Sequence, residues 1–100
     1  VGKLVRDRIP EIIRERGGEP VVTVLGEAEY RGALLEKLFE ESAELREAAA
    51  TEVAEEIADV LEVLRAIATL HGHEWADIEK VAEVKRAERG AFLERVYLEG

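Results

Sequence analysis

Residues 34–67 read LLEKLFEESAELREAAATEVAEEIADVLEVLRAI, and the way this stretch winds decides the fold. It holds neither glycine nor proline and is dominated by Ala, Leu, Glu and Arg, the residues that lose least on entering a helix. At 100° per residue Leu34, Leu38, Leu45 and Ala48 fall on one apolar seam. Val53, Ile57, Val60, Val63, Leu64 and Ile67 form a second arc. The pattern predicts two amphipathic helices. One runs from Glu27 to about Ala49, with Gly32 as a weak point, and the other from a Thr51 cap to about Leu70.

Outward from this pair, both prolines, Pro10 and Pro20, lie in the first fifth of the chain. A short helix is expected from an Asp7 cap, with Pro10 in its first turn, to Gly17-Gly18. A fourth helix is expected from Glu74 to Arg89, stopped by Gly90. The β-branched stretch 19–25 and the RVYL tail, 95–98, read as short extended segments. The fold class is all-α: one domain over residues 1–100, a bundle of about four helices. Helices of 30 to 35 Å are long for 100 residues, so oligomerisation is expected to complete the core, as a homodimer or homotetramer.

The chain has no cysteine, which excludes disulfides and thiolate zinc sites. No apolar run is long enough for a membrane span or a signal peptide, so a cytoplasmic protein is expected. A net charge of −9 argues against binding duplex nucleic acid. That charge is concentrated: between Glu36 and Glu62 ten acidic residues face only Lys37 and Arg46, giving −8. Residues 1–16 and 80–95 each carry five basic residues against three acidic ones, so basic ends flank an acidic middle.

Two acids sit where apolar residues belong. Glu41 lies on the first seam, one turn from both Leu38 and Leu45, and Glu56 lies between Val63 and Ile67 on the second. Glu44 and Asp59 stand beside them, three residues on. Such a glutamate can snorkel or pair with Lys37. An unpaired buried carboxylate costs several kcal/mol, however, and a shared divalent cation would offset that cost at both positions. An all-oxygen donor set suits Mg²⁺ or Mn²⁺ rather than Zn²⁺. For Glu36, Glu47, Glu52, Glu55 and Glu62 the solvated-face reading suffices. His71 and His73 flank a glycine at a helix end, where a cation is ordinary. Tyr30, Phe39 and Trp75 read as packing aromatics.

KLFEESAEL (Lys37 to Leu45) and EEIADVLEVL (Glu55 to Leu64) resemble the E-E-x-x-E and E-x-x-D signature of the MazG-like all-α nucleoside triphosphate pyrophosphohydrolases, the superfamily that includes phosphoribosyl-ATP pyrophosphohydrolase. KLVRDRIPEII (Lys3 to Ile13) and KRAERGAFLERVYL (Lys85 to Leu98) are similar to a small single-domain branch of it. Eleven residues separate Glu44 from Glu56, a short spacing for that superfamily, and Ala91 stands where relatives commonly have a second glycine.

The resemblance implies Mg²⁺ ligation by Glu41, Glu44, Glu56 and Asp59, with Glu40 orienting or deprotonating a water. It implies that Lys37 meets a phosphate or tunes the site, and that Lys3, Arg6, Lys85 and Arg89 bind phosphate. Taken singly, those basic residues read as surface ion pairs. The implied activity converts a nucleoside triphosphate to the monophosphate and pyrophosphate. The rivals are phosphoribosyl-ATP as substrate, or a non-catalytic helical oligomerisation module. Ser42, the one serine, has no partner for nucleophilic catalysis.

Overall fold

The computed structural model of the chain describes residues 2–100. The all-α expectation holds: helices α1 (Ile9–Glu15), α2 (Glu27–Glu47), α3 (Val53–Leu70) and α4 (Trp75–Arg89), plus a 3₁₀ turn at Ala50–Glu52, and no strand among the described residues. None of these helices is long and apolar enough to cross a membrane. Two compact units divide the chain, one ending at Ile67 and the other Ala68–Gly100.

In the first unit, α1 is seven residues with Pro10 in its first turn, where a missing N–H costs nothing. Its N-cap is Arg8 and not Asp7. Asp7 is taken up in a turn closed by the Ile9 N–H donating to the Arg6 carbonyl at 3.0 Å, which places it one residue too early to cap. The helix stops at a Schellman motif. Gly17, at φ +85°, donates to the Arg14 carbonyl at 3.0 Å, and Gly18 donates to the Ile13 carbonyl at 2.9 Å. A Cβ on Gly18 would meet the Ile13 side chain at 2.6 Å, so the pair of glycines is needed for two different reasons.

The expected extended segment at 19–25 forms no strand, and Val21 and Val24 are fully exposed. A β-rich run needs a ladder partner, and none is available to it in this unit. The same outcome meets 95–98 in the second unit, where Arg95 takes a positive φ of 57° and Val96, Tyr97 and Leu98 are exposed.

Helix α2, 21 residues, is about 31 Å long at 1.5 Å per residue. It passes through Gly32 unbroken, and Glu27 and Glu29 in its first turn meet the positive end of its dipole. Its seam is as the sequence predicts: Leu34 is buried, with Leu38, Leu45 and Ala48 half-buried. Ala48 and Ala49 are extended, and the chain then turns through Ala50–Glu52 into α3. The Glu52 carboxylate accepts the Ala49 N–H at 3.3 Å, and the Glu52 N–H donates to the Ala49 carbonyl at 2.8 Å. Thr51 therefore lies inside the turn and does not cap α3, because winding has already begun at Ala50.

On α3 the buried face is narrower than the expected arc. Val63 is buried and Val53, Val60 and Ile67 are half-buried, but Ile57 is 52% exposed and Leu64 38%. Leu35 and Phe39 of α2 are exposed as well, at 47% and 76%. On helical angle these four lie on the flank of the α2–α3 pair opposite the one that carries Lys37, Asp59 and Ala66.

The second unit comprises the last turn of α3, the His71–Glu74 connection, α4 and the tail. The end of α3 repeats the Schellman closure, with Gly72 at φ +79° and the His73 N–H donating to the Ala68 carbonyl at 2.9 Å. In α4, Glu74 is the N-cap and Gly90 the C-cap, Trp75 and Ile78 are half-buried, and Lys85, Arg86 and Arg89 are exposed.

Candidate metal centre

Because α2 and α3 are joined by a short turn, residues about one turn before it face residues about one turn after it. Glu41, Glu56 and Asp59 meet there, each offering a carboxylate oxygen within 4.8 Å of the others. Three of the four expected ligands are thus brought together. The fourth, Glu44, is exposed and outside that triad, but its carboxyl group contacts that of Glu41.

The energetics of the triad are unfavourable as it stands. Glu41 is only 8% exposed. Burial pushes its carboxyl above the ordinary 4.5, and the charge of Glu44, a carboxyl–carboxyl hydrogen bond to Glu44 and the charge of Asp59 push the same way. Lys37 opposes them from 3.5 Å. For Glu56 burial again comes first in raising the pKa, followed by the charges of Asp59, Glu41, Glu52 and Glu55. The Glu56 Oε2 atom is sealed from solvent and has no hydrogen-bond partner. An orphaned buried carboxylate oxygen aimed among two further carboxylates is what a hard divalent cation would satisfy, so the residues present fit Mg²⁺ or Mn²⁺.

Two cations reach the cluster. Lys37, mostly buried, bridges Glu41 at 3.5 Å and Glu40 at 3.8 Å. Arg6 donates from Nη2 to Asp59 Oδ1 at 2.7 Å, across 53 positions of sequence. Glu40 is paired to Lys37 and stands off the triad.

Beside the carboxylates lies a pocket of about 400 Å³. Leu4, Tyr30, Leu34 and Val63 supply apolar walls, and Arg6, Arg8, Lys37, Glu41 and Asp59 supply charge. Tyr30 and Glu62 line it too, although the sequence assigned the first to packing and the second to a solvated face. Their signal was available: Tyr30 lies one turn before Leu34, and Glu62 three residues after Asp59, on the same flank. Arg8 donates to Glu11 at 2.8 Å. Lys3 is exposed near the start of the same unit and does not line the pocket. Lys85 and Arg89 lie on α4, in the second unit.

No family model matches the chain, and no solved structure matches it. Over 48 residues it is 56% identical to an uncharacterized protein of Mycolicibacterium smegmatis. That match covers 48% of this chain and 49% of that protein, so it spans about half the length of the curated relative.

Proposed function

We propose that this chain is a Mg²⁺-dependent nucleotide pyrophosphohydrolase, converting a nucleoside triphosphate to its monophosphate and pyrophosphate. The observation that carries the reading is the sealed, unpartnered Glu56 oxygen within a three-carboxylate cluster that borders a cation-bearing pocket. The signature KLFEESAEL and EEIADVLEVL supports the same activity.

In this reading Glu41, Glu56 and Asp59 hold the cation, with Glu44 as a fourth donor. When bound, the cation supplies charge neutralisation at the phosphates and acidifies water. Lys37 meets a phosphate oxygen as a point charge, and Arg6 presents its guanidinium from the opposite wall. Glu40, outside the triad, accepts the proton of the attacking water once Lys37 turns to the phosphate. Tyr30 and Leu34 offer the apolar wall against which a base can lie. Lys3, Lys85 and Arg89 enter as phosphate-binding residues on the resemblance alone. The substrate puts the protein in the cytoplasm.

Incubation with a panel of nucleotides, phosphoribosyl-ATP included, should release pyrophosphate and not orthophosphate. Turnover should require Mg²⁺ or Mn²⁺. A folded protein with no metal-dependent turnover across the panel removes the enzyme reading and leaves the helical oligomerisation module.

The exposed flank formed by Leu35, Phe39, Ile57 and Leu64 favours self-association, since apolar side chains at one-turn and two-turn spacing gain most when covered by a matching helix pair. The partner in this reading is a second copy, giving a homodimer or homotetramer. Sedimentation equilibrium at micromolar concentration should report at least a dimer, and Phe39→Glu should weaken association by about tenfold or more. A stable helical monomer of 11.2 kDa would reject it.

A further inference from the structure

The carboxylate triad is already partly neutralised, and the two cations that do this differ in kind. Lys37 belongs to α2 itself and pairs with residues three and four positions away. Arg6 belongs to the segment ahead of α1, where residues 2–6 adopt no regular structure. The ion pairs of Arg8 and Arg31 link residues three and four apart. The Arg6–Asp59 contact spans 53 positions and ties the N-terminal segment to α3.

This tie sits on the surface. The Arg6 side chain is 55% exposed and that of Asp59 41%. A solvated ion pair of this sort contributes little to stability. Its oxygen, by contrast, belongs to a residue that also lies in the triad. A dication and a guanidinium about 5 Å apart repel by about three times RT even at the dielectric constant of water, more than such a pair returns. Arg6 and the segment carrying it, Leu4 to Arg8, also line the pocket.

We propose that Arg6 is an exchangeable counter-ion: it neutralises Asp59 while the triad lacks a metal, and a divalent cation entering the triad displaces it and releases the Leu4–Arg8 segment. This rests on the metal-site reading given above. The guanidinium set free is still tethered at the pocket rim, where its planar fork suits two oxygens of a polyphosphate. Metal entry and phosphate capture are thereby linked through one side chain.

The test uses the 100-residue chain without nucleotide. Mn²⁺ binding is measured by electron paramagnetic resonance for wild type, Arg6→Gln and Arg6→Lys. Amide exchange of residues 4–8 is followed with and without Mg²⁺. Arg6→Gln should bind Mn²⁺ about three- to tenfold tighter than wild type, and Arg6→Lys, which keeps the charge, should stay near wild type. Mg²⁺ should accelerate exchange across residues 4–8. Unchanged or weaker Mn²⁺ binding by Arg6→Gln would overturn the exchange and make Arg6 a brace that positions Asp59. Unchanged or slower exchange of the segment would overturn its release. A wild type that binds no Mn²⁺ defeats the metal reading and this inference together, whereas Mn²⁺ binding indifferent to residue 6 defeats this inference alone.

Discussion

Replacing Glu41 with glutamine is expected to abolish metal-dependent turnover while making the metal-free protein more stable at neutral pH. Both effects follow from one position. Glu41 occupies the α2 seam, 8% exposed, where burial and the neighbouring Glu44 and Asp59 raise its pKa and Lys37 only partly compensates. Glutamine keeps the shape and removes the charge, so the cost of holding a carboxylate there disappears. It also removes an anionic metal donor. The loss in turnover should be at least about 100-fold, since groups that merely support metal ligands already cost up to that much. The measurements are steady-state pyrophosphate release and thermal melting in EDTA, run on both proteins. A glutamine variant that melts lower without metal would show instead that the Lys37–Glu41 pair at 3.5 Å is a structural ion pair whose loss strands the lysine.

Mg²⁺ is expected to raise the melting temperature strongly at neutral pH and hardly at all near pH 4. Glu41 and Glu56 have folded-state pKa values raised above 4.5. A carboxylate raised in this way favours folding of its protonated form. Its contribution to stability is therefore full below the unfolded pKa and declines as pH climbs through the folded value. Without metal, these two groups pull stability down from about pH 4.5 upward. With metal, the deprotonated triad is the binding form, and a ligand at about 100 times its dissociation constant adds about 2.7 kcal/mol. For a chain of this size that is a shift of more than about 10 °C. Differential scanning calorimetry with Mg²⁺ or EDTA, stepped from pH 4 to pH 8, reads the gap directly. A gap that is absent at pH 7.5, or equal at pH 4 and 7.5, would mean that the triad is not the site of Mg²⁺ binding.

Helical periodicity made the centre of this molecule legible. The seam Leu34, Leu38, Glu41, Leu45 was placed by angle alone, and the same arithmetic put Glu56 and Asp59 opposite it. What escaped was set by contacts that periodicity does not encode. The Asp7 cap failed because a preceding turn through Arg6–Ile9 used up that residue, and the Thr51 cap failed because 3₁₀ winding began one residue earlier. The valines at 21, 22 and 24 have strand propensity without a strand to pair with, and propensity does not supply a partner. Ile57 and Leu64 belong to an apolar arc wider than the one α2 can cover. Arg6 was read as a residue that meets phosphate, and its carboxylate partner 53 positions away had no local signature. Glu44 shows the limit of ligand counting. Its spacing from Glu41 is that of Asp59 from Glu56, yet it lies outside the triad.

The five residues between α2 and α3, Ala48 to Glu52, carry three alanines, a threonine and a glutamate, and invite the view that evolution is indifferent to them. In composition it can be. In number it cannot, because a helix is a screw: one residue added or lost turns everything beyond it by about 100° and slides it about 1.5 Å. Glu56 and Asp59 begin only four residues past that connection, too near for the winding error to be absorbed before they must point at Glu41. The connection thus sets the phase of the centre without touching it. Gap length at this spot, more than residue identity, is the mark by which descendants that keep the site can be told from those that have lost it.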